Sequence, residues 1–213
     1  MSSHIRFLHG IPEVEAVDVY LGQQRMSRGL EYEELTPYML VRSGRNRLRV
    51  NMPGEDSPVI QKGIIIPEGT IYTLFLGNNG TENQIYAVEE PELKIPEGMG
   101  ALRLANFADP KEKWNVWIRM ENGKAEKLFE DLGFGEVTEY VVAGAGEYTM
   151  EIRDEKEQIA AAVLGVTVQP GRLYTVYLVG RGAPEEESFP LTAIVVEDIH
   201  FSGGHRIESR EDL

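Results

Sequence analysis

Cysteine is absent from this chain of 213 residues, and positive charge is scarce. The missing cysteine excludes disulfide bonds and thiolate chemistry, although it does not decide the compartment. The chain has 21 Lys and Arg residues against 35 Asp and Glu residues, for a formal net charge of −14. Binding to nucleic acid or to an anionic membrane surface needs clustered basic residues, so this balance argues against both partners.

Long apolar runs are also missing. No stretch approaches the roughly 20 residues that cross a bilayer, so we expect no membrane insertion. Residues 1–8 (MSSHIRFL) lack the basic segment followed by an apolar one that is typical of a secretory signal. By sequence alone, the expected location is the cytoplasm.

Recognisable catalytic motifs are lacking as well. The chain has neither a Gly-x-Ser-x-Gly nucleophile elbow nor a Gly-x-x-x-x-Gly-Lys-Ser/Thr phosphate loop. Four histidines without any cysteine leave few candidates for a nucleophile or base. We therefore predict a non-enzymatic protein without a cofactor.

What the chain does contain is an internal repeat. Residues 5–9 (IRFLH) align with residues 102–106 (LRLAN), and residues 17–21 (VDVYL) align at the same offset with residues 114–118 (WNVWI). Matched alternation in both pairs indicates two copies of one domain.

The second half of the repeat aligns after one change of register. The offset grows by five residues, a change that we place near Asn122-Gly123-Lys124. With the new offset, residues 69–74 (GTIYTL) fall on residues 171–176 (GRLYTV), and Gly44 falls on Gly146. A single insertion therefore explains the whole alignment.

Both copies have the pattern of β-strands. Apolar and polar residues alternate with period two in segments such as 47–52 and 148–153, and Gly-containing turn signals separate these segments. About seven short strands in about 100 residues predict a two-sheet sandwich. The predicted fold class is all-β, with two tandem immunoglobulin-like or transthyretin-like antiparallel β-sandwich domains.

Two segments have ambiguous patterns. Residues 156–164 have helical propensity, but their counterpart at residues 58–62 has an extended pattern, so we predict strands in both. Residues 121–131 contain the insertion and are expected to form either a longer hairpin or a short helical turn.

The repeat also predicts the domain organisation. We place the first sandwich at residues 1–90, a linker at 91–98, the second sandwich at 99–200 and a charged tail at 201–213. Two prolines stiffen the linker, so we expect the domains to hold a preferred orientation. The oligomeric state stays open.

Several motifs resemble those of the DUF4397 family of tandem bacterial domains. The first copy has IRFLHGIP at residues 5–12 and VDVY at 17–20, and the second has FGEVTEY at 134–140, AGEYTMEI at 145–152 and PGRLYTV at 170–176. The resemblance covers nearly the whole chain and lies in turns and core positions. It implies tandem β-sandwiches without an assigned activity, mostly in exported or envelope proteins.

The chain departs from the family pattern at the end of the first strand. The family has His-Ala-Ser there, whereas this chain has His9 followed by Gly10 and Ile11, and the second copy has Asn106 in place of the histidine. His9 is a candidate ligand or proton carrier beside Asp18 or Glu13. The alternative, which we favour, is a histidine that fastens a loop by hydrogen bonding, because Asn106 can do the same but is a poor metal ligand.

An outward face of the first two strands is the preferred place for ligand contact. Alternation predicts that Arg6, Asp18 and Tyr20 share this face, and the second copy has Arg103, Asn115 and Trp117 at the same places. Such aromatics can stack on a sugar or a peptide. The alternatives are a cross-strand cluster in which an arginine covers the ring, or burial against the other domain or a dimer partner.

Two further groups are weak candidates for cation binding. His200 and His205, with His4, could hold a metal, but their spacing and the intervening glycines favour a solvated tail. Residues 185–187 (EEE) have no calcium-loop spacing and favour a solvated loop. We therefore predict no metal site.

Three functional hypotheses remain. The first is a non-catalytic binding or structural module of a bacterial envelope, coat or scaffold. The second is a glycan- or peptide-binding protein that uses the sheet aromatics or the cleft between the domains. The third is a metal-dependent enzyme that uses His9 and nearby carboxylates.

Overall fold

A computed structural model describes residues 2–109, 111–181 and 189–199. Within these ranges the chain forms sixteen strands and no helix. The first eight strands are β1 Ser2–His9, β2 Ala16–Leu21, β3 Gln24–Glu31, β4 Met39–Arg42, β5 Gly44–Asn51, β6 Pro58–Ile66, β7 Ile71–Asn78 and β8 Asn83–Glu89. The other eight are β9 Met99–Asn106, β10 Trp114–Met120, β11 Ala125–Leu132, β12 Val141–Gly144, β13 Gly146–Arg153, β14 Ile159–Val168, β15 Leu173–Val179 and β16 Thr192–Asp198.

Each domain is a sandwich of two four-stranded sheets. The inner sheets are β4-β1-β7-β8 in the first domain and β12-β9-β15-β16 in the second. The outer sheets are β3-β2-β5-β6 and β11-β10-β13-β14. The prediction of an all-β fold with two tandem sandwiches is confirmed.

The inner sheets are mixed, whereas the prediction described antiparallel sandwiches. β1 pairs in parallel with β7, and β9 pairs in parallel with β15. Side-chain alternation is the same in parallel and antiparallel strands, so the sequence pattern does not reveal the direction of a partner.

The repeat appears as the same order of strands in both domains. The register change lies in the β10–β11 hairpin, where residues 121–124 form a longer turn than residues 22–23 between β2 and β3. Residues 121–131 thus form the turn and second strand of a hairpin. β6 covers residues 58–62, and β14 covers residues 159–164 of the other ambiguous segment, whereas residues 156–158 precede the strand.

Each sandwich has its own apolar core. The first core is built from alternate residues of both sheets, such as Ile5 and Phe7 of β1 and Val17 and Val19 of β2, all of them fully buried. The second core repeats this arrangement with Leu104, Val116, Met150 and Ile152 among its members. Burial of these faces is the main stabilising term for each sandwich.

The two inner sheets pack against each other through their second faces, so the chain has four layers of sheet. An apolar cluster at this domain junction consists of Leu8, Phe75, Val88, Ala105, Phe107, Tyr177, Val179 and Val196. The rings of Phe75 and Phe107 stack with centroids 4.3 Å apart. This contact gives the domains a fixed orientation, since separating them would expose a buried aromatic face. β8 ends at Glu89 and β9 begins at Met99; the domain boundaries at 90, 98 and 200 stay predictions.

Candidate functional site

Arg6 and Tyr20 lie on different sheets, which corrects the expectation of a shared outward face. β1 belongs to the inner sheet and β2 to the outer sheet of the first domain. Arg6 and Arg103 are both buried at the domain junction, with exposures of 3% and 5%. Period-two alternation separates the two faces of one strand but does not say which sheet the strand joins, and this is why the expectation was wrong.

Two equivalent polar quartets hold the arginines at the junction. Arg6 donates from Nε to the Thr73 hydroxyl at 2.7 Å, and Thr73 donates to Glu90 at 2.7 Å. The Arg6 guanidinium lies 4.3 Å from the ring centroid of Tyr38, whose hydroxyl donates to Glu90. Every polar group of this quartet therefore has a partner, as burial requires.

The second quartet repeats the first with residues of the second domain. Arg103 donates from Nε to the Thr175 hydroxyl at 3.0 Å and lies 4.5 Å from the ring centroid of Tyr140. The hydroxyls of Thr175 and Tyr140 both donate to Asp198.

The quartets also cross the junction. Arg6 forms ion pairs with Glu90 at 3.1 Å and with Asp198 of the other domain at 2.6 Å. It donates to the Glu197 backbone oxygen at 2.9 Å, and Arg103 donates to the equivalent Glu89 oxygen at 2.7 Å. This reciprocal pattern is that of a two-fold interface.

Arg6 is thus the shared ion-pair partner of two buried carboxylates, Glu90 and Asp198, and the pKa of Asp198 is raised. Burial raises the pKa of Asp198 to about 6, and the negative charge of Glu90 adds to the rise. Burial also raises the pKa values of Tyr38 and Tyr140, which keeps both hydroxyls protonated as hydrogen-bond donors. The cluster is a structural tie between the domains: its arginines, threonines and carboxylates are buried, and its two tyrosines are half-buried at its border.

His9 fastens the loop that follows β1. Its Nε2 lies 2.9 Å from the Val14 backbone oxygen, and its Nδ1 accepts from the Ile11 backbone N–H at 3.3 Å. Burial lowers the pKa of His9 to about 4, with the Val14 contact opposing the shift. The ring is therefore neutral at pH 7, and both its nitrogens are in use.

Asn106 holds the loop that follows β9 by one equivalent contact and bonds to the end of β11 by the other. Its Nδ2 donates to the Leu132 backbone oxygen at 3.0 Å, and its Oδ1 accepts from the Ala108 backbone N–H at 3.0 Å. The replacement of histidine by asparagine between the copies thus preserves loop fastening and loses any capacity for proton transfer.

Asp18 and Asn115 hold equivalent irregularities in the outer sheets. Asp18 accepts from the Gly29 backbone N–H at 2.7 Å, and Asn115 accepts from the Asp131 N–H at 3.0 Å. Gly29 and Asp131 both have positive φ angles, +60° and +53°, where the ladder shifts register. These polar side chains therefore stabilise β-bulges.

Tyr20 lies half-buried on the outer face of the first domain in a cross-strand row. The row runs from Arg25 through Tyr20 and Arg49 to Gln61 on neighbouring strands. The Arg49 guanidinium lies 4.6 Å from the ring centroid of Tyr20. An arginine therefore covers the ring, which is the cross-strand alternative considered above.

Trp117 occupies the matching position in the second domain and is also half-buried. Its indole N–H donates to Glu157 at 2.9 Å, and the cationic groups of Lys127 and Arg153 lie 5.4 and 4.8 Å from its ring centroid. Lys127 and Arg153 both pair with Glu157, so charges of both signs surround the indole.

Sequence reasoning missed the surroundings of Tyr20. A cavity of about 350 Å³ opens beside it, lined by Gly22, Gln23, Arg47, Arg49 and Gln61. The available signal was local: residues 42–49 (RSGRNRLR) contain four arginines in a chain that is acidic overall. The net charge of −14 for the whole chain conceals this local cluster of arginines.

Metal ligands do not converge in the part of the chain that the structure describes, where no group of three or more His, Asp or Glu residues could hold an ion. His200, His205 and residues 185–187 lie outside the described residues. The described residues also contain no helix long and apolar enough to cross a bilayer.

A family comparison covers both domains. The model of a domain of unknown function, DUF4397, matches residues 3–119 and 115–202. The chain belongs to the DUF4397 family. The first DUF4397 match extends through the linker into β10, and the second covers the rest of the second sandwich.

Solved structures share only distant similarity with this DUF4397 chain. The Bacillus anthracis TIE protein is 14% identical with a TM-score of 0.29; the match covers 84% of this chain and only 34% of that one. A family 41 carbohydrate-binding module of streptococcal virulence factors, described as recognising alpha-glucan, is 12% identical over 82% of this chain and 92% of its own, with a TM-score of 0.28. The tip fimbrial protein Mfa3 from Porphyromonas gingivalis is 6% identical over 92% of this chain and 99% of its own, with a TM-score of 0.31. No curated protein matches the chain.

Proposed function

We propose that this chain is a non-catalytic binding or structural module that presents two outer sheet faces in a fixed relation. The observation that carries the proposal is the packing of the inner sheets. Their second faces are closed against each other by an apolar cluster and two buried polar quartets, so the broad faces left for a partner are those of the outer sheets. A rigid body of this kind presents a surface without a large ordering cost on binding.

The hydrogen bonding of the polar side chains supports the non-catalytic part of the proposal. His9 uses both ring nitrogens on backbone groups, and Asp18 holds a β-bulge. A metal-dependent enzyme built on His9 would have to break these loop contacts before the ring could bind an ion.

A glycan or a peptide is the partner class that the outer faces favour. Tyr20 and Trp117 lie at equivalent positions on the two outer sheets and are both half-buried. Aromatic rings with one accessible edge and a polar border are common anchors in binding surfaces.

Glycan arrays and peptide libraries probed with the full chain test this function. We expect binding that Trp117→Ala or Tyr20→Ala weakens, because each substitution removes the aromatic anchor of one outer face. Leu164→Ala is a matched control, because Leu164 is 78% exposed on β14 and is not among the residues that contact Tyr20 or Trp117. Binding that both aromatic variants leave unchanged would contradict this use of the outer faces.

The proposal includes a location in the bacterial envelope, which rests on the family resemblance alone. Fractionation of native cells with an antibody against the chain tests the location. Recovery in the envelope or the medium is expected, and recovery only in the soluble cytosol would refute it.

A further inference from the structure

The outer sheets of the two domains carry opposite charge. In the first domain, the strands of the outer sheet contain two acidic residues, Asp18 and Glu31, and six basic residues, namely Arg25, Arg28, Arg45, Arg47, Arg49 and Lys62. In the second, the equivalent strands contain three basic residues, Arg119, Lys127 and Arg153, and five acidic ones, namely Glu126, Glu130, Asp131, Glu147 and Glu151. The basic sheet stands out in a chain with a net charge of −14.

The arginines of the two sheets also differ in their partners. In the second domain, Arg119 and Arg153 both pair with Glu151, the former at 2.6 Å. The position of Glu151 in the first domain is held by Arg49, since Glu151 pairs with Trp117 and Arg49 with Tyr20. Glu151, which neutralises two arginines of the second outer sheet, is thus replaced in the first outer sheet by the cation Arg49.

The Nε–H of Arg49 lacks an acceptor in the part of the chain that the structure describes. Its Nε is buried and has no hydrogen-bond partner among the described residues, and within the same residues neither Arg47 nor Arg49 forms an ion pair. A buried N–H without an acceptor is costly, and the cost is greater for a charged group. With Arg47 exposed and neither arginine paired with a carboxylate of the described residues, the two guanidinium groups together favour an acceptor supplied from outside the chain.

The cavity beside Arg49 has the size and the lining residues to receive that acceptor. Its volume of about 350 Å³ lies at the lower end of the range for small-molecule sites. Arg47 and Arg49 lie on one strand two residues apart, so their side chains share a face. Gln23 and Gln61 add amide donors at the border, and Gly63, opposite Arg47, leaves open space on this face.

We propose that this cavity binds an oxyanion: a carboxylate, sulfate or phosphate group of a small molecule or of an acidic glycan. Arg47 and Arg49 supply the positive charge and paired N–H donors, and the two glutamines supply neutral donors. Tyr20 holds the Arg49 guanidinium in place from one side. Guanidinium groups match the geometry of such anions because they form two parallel hydrogen bonds. The inference rests on the proposed function in treating the outer sheets as binding faces.

A titration followed by NMR tests the oxyanion site. The ¹⁵N-labelled full chain is titrated separately with sodium sulfate, sodium phosphate and sodium glucuronate, with sodium chloride at matched ionic strength as the control. We expect a saturable shift of the Arg49 Nε–H signal with at least one oxyanion. The comparison among the three salts identifies the group that binds. Equal, non-saturating shifts in all four salts would overturn the proposal.

Variants locate the site. Arg47→Gln and Arg49→Gln are each expected to weaken anion binding about tenfold or more, because each removes charged hydrogen bonds. Lys62→Gln is the matched control, since it removes the same charge from a strand of the same sheet but does not line the cavity. Unchanged affinity in both arginine variants would refute the assignment.

A variant with an added negative charge tests the site if Arg49→Gln does not fold. Gly63→Glu places a carboxylate opposite Arg47, where an added Cβ meets no atom within 4 Å, so the fold tolerates it. We expect it to abolish the anion-dependent shift. Failure of the oxyanion site can be distinguished from failure of the proposed function. Binding of neutral glycans or peptides through Trp117 in the second domain supports the function even when no anion binds in the first domain.

Discussion

Gly10 shows how a single residue can record the asymmetry between the two copies. A Cβ atom at Gly10 would lie 2.3 Å from Cζ of Phe75, which stacks on Phe107 at the domain junction. Phe107 occupies the position in the second copy that corresponds to Gly10. Alanine, which the family resemblance implies at this place, does not fit beside Phe75 in its present position, so glycine has a steric advantage here.

Gly10→Ala is expected to destabilise the chain by about 1–3 kcal/mol, because the added methyl group forces the Phe75 ring away from its stacked partner. Chemical denaturation of the full chain measures the change. Gly63→Ala is the control, as its Cβ meets nothing within 4 Å and alanine costs less chain entropy on folding than glycine. Equal stability of the two variants would contradict the steric explanation.

The pH dependence of stability reports on His9. Its pKa is about 4 in the folded chain, against an ordinary value of 6.5, so between these values the unfolded chain binds a proton that the folded chain does not. Stability from this group rises with pH through that window, by at most about 3 kcal/mol, and is complete above pH 6.5. Asp198 acts in the opposite direction: its folded pKa of about 6 exceeds the ordinary 3.8, so its contribution is present below pH 3.8 and is lost as the pH rises through 6.

His9→Asn, which copies Asn106, isolates the histidine contribution. The difference in free energy of unfolding between the wild type and this variant is expected to grow in favour of the wild type as the pH rises from about 4 to 6.5. Denaturant titrations at several pH values measure it. A difference that is independent of pH would show that His9 titrates normally.

At the scale of strands, most of the fold could be predicted. Alternation located strands, the turn glycines marked their ends, and one insertion brought the copies into register. Sheet membership could not be predicted, because β1 and β2 have the same alternation yet join different sheets, and this separated Arg6 from Tyr20. The loop-fastening role of His9 was accessible from its replacement by Asn106. Thr73 and Thr175 are identical in the aligned copies, but the sequence did not show that they are the partners of the arginines.

The bulge in β3 offers a test at this scale. Asp18→Ala removes the acceptor of the Gly29 N–H and is expected to destabilise the first domain by about 1–3 kcal/mol. Asp18→Asn retains an acceptor oxygen, as Asn115 does in the second domain, and should restore most of the stability. Thermal unfolding measures both. A loss of stability in Asp18→Asn as large as that in Asp18→Ala would contradict a role for the acceptor.

At the scale of the whole molecule, Arg6 links the two domains. Arg6→Ala leaves Glu90 and Asp198 buried together without their cation and is expected to cost about 3–5 kcal/mol. Loss of the tie should also loosen the domains, which small-angle scattering detects as an increase in the radius of gyration. Arg172→Ala is the control, because Arg172 is 55% exposed and its pair with Glu197 is on the surface. Equal effects of the two substitutions would contradict a special role for Arg6.

The reciprocal contacts at the domain junction have a further consequence for the origin of the chain. A face that receives an arginine from its equivalent and returns one to it is self-complementary, so a single ancestral domain with this face could form a homodimer. Duplication and fusion would turn that intermolecular contact into an intramolecular one, whose stability no longer depends on protein concentration. Once joined, two such copies could diverge separately, and they now differ at Gly10 and Phe107 and in the charge of their outer sheets.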